Sequence, residues 1–383
     1  MIDNSTAVTA PVASRRTVRI LGTHGVPANY GGFETAAENI AKYLVRQGWR
    51  VIVYCQAGKN GETTYDTWEG IERVSIGVED KGWLGTAKFD WISIAHACRY
   101  RDVCLTFGYN TGVFNFRQRM LGIANVINMD GIEWSRKRWG FLRQAILYVN
   151  ERFAAAFGDH LIADHPAIHK YLLTRAPGRK ISTVTYGADP VDAPSDAIVR
   201  ELGLKPQGYF VLIARPIPEN SVLEIVRAFS SERRSSALVL LGNYEGDDPY
   251  HVAVKQAASE DVRFVGPIYG SKVASLRFYA RGYFHGHTVG GTNPSLVEAM
   301  AAGNPVFAHE NVYNRWVAQA AATYFTDEHD LAASISALLK NPAQLEAMSE
   351  AALRRFAEEF TWDHVASQYE AILLRFAKPS SAV

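Results

Sequence analysis

Glycines just ahead of a helix leave backbone N–H groups open to an anion. The stretch "HGHTVGGTNPSLVEAMAAGNPVFA" (residues 285–308) places two of them there. Pro294 suits the first turn of a helix, and Thr292 or Asn293 suits its cap. Gly290 and Gly291 let a phosphate approach the main chain. Glu298 falls one turn into the helix, on a face with Pro294 and Ser295, where a carboxylate can accept from a ribose hydroxyl. The same residues also describe a capped helix with a solvated glutamate. His285 and His287 share one face of a strand. Two histidines can ligate a metal, but no third ligand is spaced nearby. Hydrogen bonding to a sugar and plain packing both remain open for them.

Three further stretches carry candidate chemistry. "ILGTHGVPANYGGFE" (residues 20–34) sets four glycines ahead of a helix opened by Phe33 and Glu34. A Pro-Ala-Asn-Tyr insertion breaks the G-x-G-x-x-G spacing, which disfavours a nicotinamide dehydrogenase. "IARPIPEN" (residues 213–220) ends a strand with Arg215, followed by Glu219 and Asn220. A guanidinium at a strand end forks naturally onto diphosphate oxygens, although a surface ion pair would use it equally well. "MDGIEWSRKRWGFLRQ" (residues 129–144) gives Asp130 and Glu133 just past a strand. Arg136, Lys137, Arg138 and Arg143 follow among Trp134, Trp139 and Phe141. This basic, aromatic text fits an anionic lipid surface, or a packed helix with a solvated basic face.

The elements that must position these residues alternate. "TVRILG" reads as a buried strand, "FETAAENIAKYLVRQG" as a helix and "WRVIVYC" as a second strand, a βαβ unit. "DVCLTFG", "ANVINMDG", "DHLIADH" and "ISTVTYGAD" read as further strands, with helices at "WGFLRQAILYVNERFAAAF" and "PAIHKYLLTR". The text turns Pro/Asp/Ala-rich from Asp189 to Asp196, which suggests a domain boundary. A second series follows. Strands are expected at "GYFVLIARP", "ALVLLGNY", "VRFVGPI", "YFHGHT" and "NPVFAH". Helices are expected at "SVLEIVRAFSS", "PYHVAVKQAAS", "SKVASLRFYARG" and "NPSLVEAMAAG". Three tail helices close the series. Two doubly wound α/β domains facing a cleft are the expectation, with ligands beyond the carboxyl ends of the strands.

Bulk properties agree with this reading. At 383 residues the chain is too long for one compact core. No apolar run is long enough for a transmembrane helix, and residues 1–15 read as a disordered tail rather than a signal peptide. Cys55, Cys98 and Cys104 lack metal-like spacing and suit a reducing, cytoplasmic setting. Residues 1–190 hold 23 Lys+Arg against 17 Asp+Glu, and residues 191–383 hold 17 against 22. A basic first half suits an anionic partner such as a membrane surface.

Taken together, the motifs resemble the retaining GT-B-fold glycosyltransferases of the large family 4, over nearly the full length. "GTHGVPANYGGFE" and "HGHTVGGTNPSLVEAM" look specifically like its bacterial rhamnosyltransferase branch. "ARPIPEN", "TYGAD" and "TWDHVASQYEAILLRF" support them more weakly. The resemblance implies an acceptor domain over 16–190, a nucleotide-sugar domain over 191–360, and a C-terminal helix (361–383) packing back on the first domain.

The resemblance also implies roles. Arg215 would meet the diphosphate and Asp130 would lie near the reacting sugar. Gly31, Gly32, Asn220, Ile268, Tyr269, His285, His287, Gly291, Thr292, Asn293, Ser295 and Glu298 would hold a dTDP- or UDP-sugar donor. His24, Asn29, Tyr30 and Glu133 would face the acceptor, a lipid-linked saccharide. No metal and no nucleic acid is expected, and the enzyme would be peripheral at the inner face of a membrane. Two places depart from the broad family pattern. Gly290 stands where a first glutamate is usual, and Asn220 where a lysine is usual. A non-catalytic nucleotide-sugar binder of the same fold is the alternative.

Overall fold

A computed structural model describes residues 15–28, 31–58, 61–79, 82–136 and 138–378. By contacts the chain forms two compact units. The first comprises the described residues up to Asn128, together with Asn150–His160 and the residues from Tyr369 on. The second comprises Met129–Val149 and Leu161–Gln368.

The first unit is built on β1 (Thr17–Leu21), β2 (Arg50–Ala57), β3 (Thr64–Trp68), β4 (Ile71–Gly77), β5 (Val103–Phe107) and β6 (Asn125–Asn128). Their order is β3-β4-β2-β1-β5-β6. Every pair is parallel except β3–β4. The middle strands are buried on both faces, which explains unbroken apolar runs such as "VIVYC". β3 and β4 and the helix Gly82–Ala97 escape the sequence reading. β3 (TYDTW) is a mostly exposed antiparallel edge with no apolar face. The helix has apolar residues all round rather than on one stripe. Residues from Tyr369 on close this unit. Asn128 Nδ2 donates to Tyr369 Oη at 2.6 Å, and Trp49 Nε1 donates to Glu370 Oε1 at 2.8 Å. The helix Trp362–Leu374 thus starts in the second unit and ends in the first.

The second unit holds β7 (His160–Ala163) and β8 (Ile181–Thr183), a parallel pair. Its main sheet is β9 (Tyr209–Ile213), β10 (Ala237–Leu241), β11 (Val262–Gly266), β12 (Gly282–His285), β13 (Val306–His309) and β14 (Ala322–Phe325). The order is β11-β10-β9-β12-β13-β14, parallel throughout. Two apolar cores cover its faces. One centres on Tyr209, Tyr283, Leu296 and Met300, the other on Phe210, Phe229, Phe284 and Phe307. The strand read from "ISTVTYGAD" is only three residues long, because the chain leaves the sheet after Thr183. Both units are doubly wound Rossmann-like folds. No helix among the described residues is long and apolar enough to cross a membrane.

Candidate functional site

Strand order reverses between β9 and β12 in the second unit, and open α/β sheets hold ligands beyond the carboxyl ends at such a reversal. β9 delivers Arg215 there, with its side chain exposed. Its carbonyl is pinned by Ile217 N and by Asn220 Nδ2, each at 2.8 Å. Asn220 is therefore a buried brace of the Arg215 loop. The loop is stitched to the one after β12, since Thr288 N and Oγ1 both donate to Glu219 O at 3.0 Å. A Cβ on Gly286 would meet Asn220 O at 2.1 Å, so the two loops touch only because that position is glycine.

His285 and His287 do share a face, with rings stacked at 4.4 Å and 12°. Burial, then the charges of Arg215 and Arg136, pushes His287 down to about 3. Burial also holds His285 well below its ordinary value. Both are neutral at pH 7. Among the described residues, neither nitrogen of His285, nor Nδ1 of His287, has a hydrogen-bond partner. The His287 carbonyl accepts from Asn311 Nδ2 at 3.0 Å and Asn314 Nδ2 at 2.9 Å. That fixes the loop leading to the glycine pair.

The helix after that pair is Pro294–Ala301. Two of the amides that the sequence offers to a phosphate are already bonded. Asn293 Oδ1 caps Ser295 N at 3.0 Å, and Asp164 Oδ2 accepts from Thr292 N at 3.1 Å. Thr292 Oγ1 also donates to the Asp164 carbonyl. Asp164 follows β7 and stands so close that a Cβ on Gly291 would lie 2.1 Å from both carboxylate oxygens. Burial and the nearby Asp130 charge push its carboxyl up to about 7.

Asp130 adopts a left-handed backbone (φ 53°), an outlier of the kind that clusters at functional sites. Burial raises its carboxyl as well. A Cβ on the adjacent Gly131 would come 3.8 Å from Gly290, which places the Asp130 turn beside the glycine loop. Glu133 binds Arg136 at 2.6 Å, pairs with Arg138 and accepts from Trp139 Nε1 at 2.9 Å. Its carboxylate organises the basic loop. Glu298 pairs with Arg277 at 2.5 Å, because a guanidinium only 7% exposed needs a carboxylate partner. Ile268 packs on the core and Tyr269 is exposed.

In the first unit the strand order reverses between β2 and β5, on either side of β1. A cavity of about 180 Å3 opens beyond the strand ends. Gly22 (φ +79°) makes it possible, since a Cβ there would strike Phe107 O at 2.1 Å. His24 lines it, with Nδ1 2.9 Å from Gln56 Oε1 and its amide donating to Glu34 Oε1 at 3.0 Å. Gly31, at φ 118°, precedes the helix that begins at Gly32. Asn29, Tyr30 and Lys137 lie outside the described residues. The sequence reading missed Asp90. It comes from the unassigned helix Gly82–Ala97 and accepts from Thr111 Oγ1 at 2.7 Å. Burial pushes its carboxyl up to about 6, against the pull of Thr111 and His24. No glycine or proline motif marks it. Among the described residues, no group of three or more His, Cys, Asp or Glu side chains is arranged to hold a metal ion.

Residues 224–371 match the family described as "Glycosyl transferase-like", and residues 15–189 match "Domain of unknown function (DUF1972)". No curated protein sequence matches the chain significantly. Similar solved structures include sucrose-phosphate synthase from Thermosynechococcus elongatus, at 16% identity over 94% of this chain and 99% of that one (TM-score 0.78). Anabaena HepE in complex with UDP and glucose is 17% identical over 94% and 100% (TM-score 0.74). A UDP-forming α,α-trehalose-phosphate synthase from Burkholderia xenovorans, in complex with glucose-6-phosphate, is 11% identical over 94% and 100% (TM-score 0.70). At these identities the likeness establishes the GT-B fold.

Proposed function

We propose that the protein is a retaining glycosyltransferase that moves a sugar, L-rhamnose first, from a dTDP- or UDP-sugar to a lipid-linked saccharide. In this reading residues 16–190 form the acceptor domain and 191–360 the donor domain. The observation that carries it is the set of groups around the reversal of the second sheet. An exposed Arg215 with a pinned main chain faces loops that hold neutral His287, Asp130 and the glycine pair. Departure of the sugar leaves a diphosphate and an oxocarbenium-like ring. Arg215 would stabilise the growing negative charge, and Asp130 would position the sugar. The neutral imidazole of His287 can share hydrogen bonds with sugar hydroxyls without adding charge, while His285, 0% exposed, packs behind it. The glycosyl transferase-like match over 224–371 supports the reaction class. The motif resemblance supports rhamnose, and the UDP-bound neighbour supports a uridine alternative.

Thermal shift and turnover with dTDP-rhamnose and UDP-glucose test the reading. A donor at a hundred times its Kd should stabilise by about 2.7 kcal/mol. If neither nucleotide sugar stabilises or turns over, the reading fails. A membrane-surface location rests on the basic, aromatic loop Trp134–Arg143 and on exposed Phe141 and Leu142. Liposome binding that is indifferent to salt would remove that part. A non-catalytic nucleotide-sugar binder is the second reading. It is favoured by Gly290 and Asn220 at the two departing positions and by the capture of Glu298 by Arg277. Donor hydrolysis by the purified protein separates the two.

A further inference from the structure

The cavity of the first unit contains no lysine or arginine among its described lining residues, but two carboxylates, Asp90 and Glu34. Aromatic rings of Phe33, Phe89 and Phe107 form part of its wall. Its volume of about 180 Å3 lies below the roughly 300–1,000 Å3 of whole small-molecule sites, so it suits one ring rather than an entire nucleotide sugar. One buried polar group in it stands without a partner among the described residues. Asn115 is 2% exposed, and its Nδ2 has none. Asp90 Oδ2 is engaged by Thr111, while Oδ1 makes no hydrogen bond among the described residues. A buried donor such as Asn115 Nδ2 left open in this way is costly unless a ligand satisfies it.

We propose that this cavity binds a single neutral, hydroxyl-rich sugar unit, with Asp90 as the positioning residue that accepts from one of its hydroxyls. The proposal deepens the transferase reading and rests on it, since the unit would be the terminal sugar of the acceptor. A carboxylate and an unpartnered amide N–H₂ match the donors and acceptors of a sugar hydroxyl pair. A phosphate placed beside Asp90 and Glu34 would meet like charge and no lysine or arginine among the described lining residues. Such a site would take a neutral sugar, unlike the glucose-6-phosphate seen in complex with one fold neighbour.

Saturation-transfer NMR on the full chain tests this, with methyl α-L-rhamnoside, methyl α-D-glucoside, methyl β-D-galactoside and glucose 6-phosphate as probes and UDP in the same tube. At least one neutral glycoside should show transfer, and glucose 6-phosphate should show none. Asp90→Asn keeps the shape and removes the charge, so it should weaken the glycoside roughly tenfold. Asn110→Ala, an exposed change on the rim, should weaken it less, and UDP transfer should persist in both variants. Equal binding of glucose 6-phosphate, binding of no glycoside, or wild-type affinity in both variants would overturn the proposal. UDP binding without glycoside binding sinks this inference alone. Glycoside binding without any nucleotide binding leaves it standing and sinks the transferase reading.

Discussion

Replacing Gly291 with alanine should destabilise the second unit through Asp164. The new Cβ would lie 2.1 Å from both Asp164 oxygens, whereas ordinary contacts begin near 3.4 Å. One partner must move by more than an ångström. The carboxylate is the softer of the two, and its movement breaks the 3.1 Å bond from Thr292 N. That amide belongs to a residue only 3% exposed, so it is left buried without an acceptor. Losing that hydrogen bond and orphaning its donor together cost about 2–4 kcal/mol. Urea denaturation of Gly291→Ala measures the loss. Asp164→Ala in the same background makes it a double-mutant cycle. The double variant should be no less stable than Asp164→Ala alone, because the clash has been removed. Wild-type stability in Gly291→Ala, or simple additivity in the cycle, would refute the contact as the cause.

Arg215→Ala should lower kcat as well as weaken donor binding, and Arg215→Lys should recover only part, since charge returns without the fork; steady-state kinetics on folded protein checks both. Glu298→Ala should cost about 3 kcal/mol in denaturant unfolding, because Arg277 stays buried with its Nε unpartnered and its carboxylate gone. A purely ligand-facing Glu298 would leave stability unchanged. Asp164 is raised to about 7 from 3.8, so its protonated form stabilises the fold at low pH. That contribution declines by up to ~1.4 kcal/mol per unit as pH rises between the two values. Asp164→Asn should remove this slope and exceed the wild type in stability at pH 8, as read from pH-dependent urea midpoints.

The alternating strands and helices around Arg215 and His285–Glu298 were legible because parallel strands buried on both faces write themselves as apolar runs. Asn311 and Asn314, which fix the His287 carbonyl, cap and lie on a short helix, Val312–Ala318, that the sequence reading passed over. Asp164 was quoted within a strand but given no role. Its importance depends on Thr292, 128 residues away, and sequence spacing carries no such pairing. Asp90 was invisible for a related reason. It lies on an apolar helix with no capping or turn signal, and only the fold brings Thr111 and His24 to it. Glu298 was found, but its partner Arg277 was not, so the expected ribose contact took no account of a competing ion pair. Local chemistry was readable along the chain. Pairings closed by topology were not.

The residues that complete the first unit are translated long after the rest of it. Tyr369 bonds to Asn128 across 241 positions, and Glu370 bonds to Trp49 across 321. At roughly 5–20 residues per second, about 10–50 s separate synthesis of Asn128 from that of its partner. Through that interval the first sheet waits on the ribosome without its closing helix. The apolar surface that this helix covers is exposed to chaperones and to other chains. A substitution such as Tyr369→Phe, which removes the hydroxyl that accepts from Asn128 and little else, should therefore depress soluble yield more than it depresses the equilibrium stability of the finished protein.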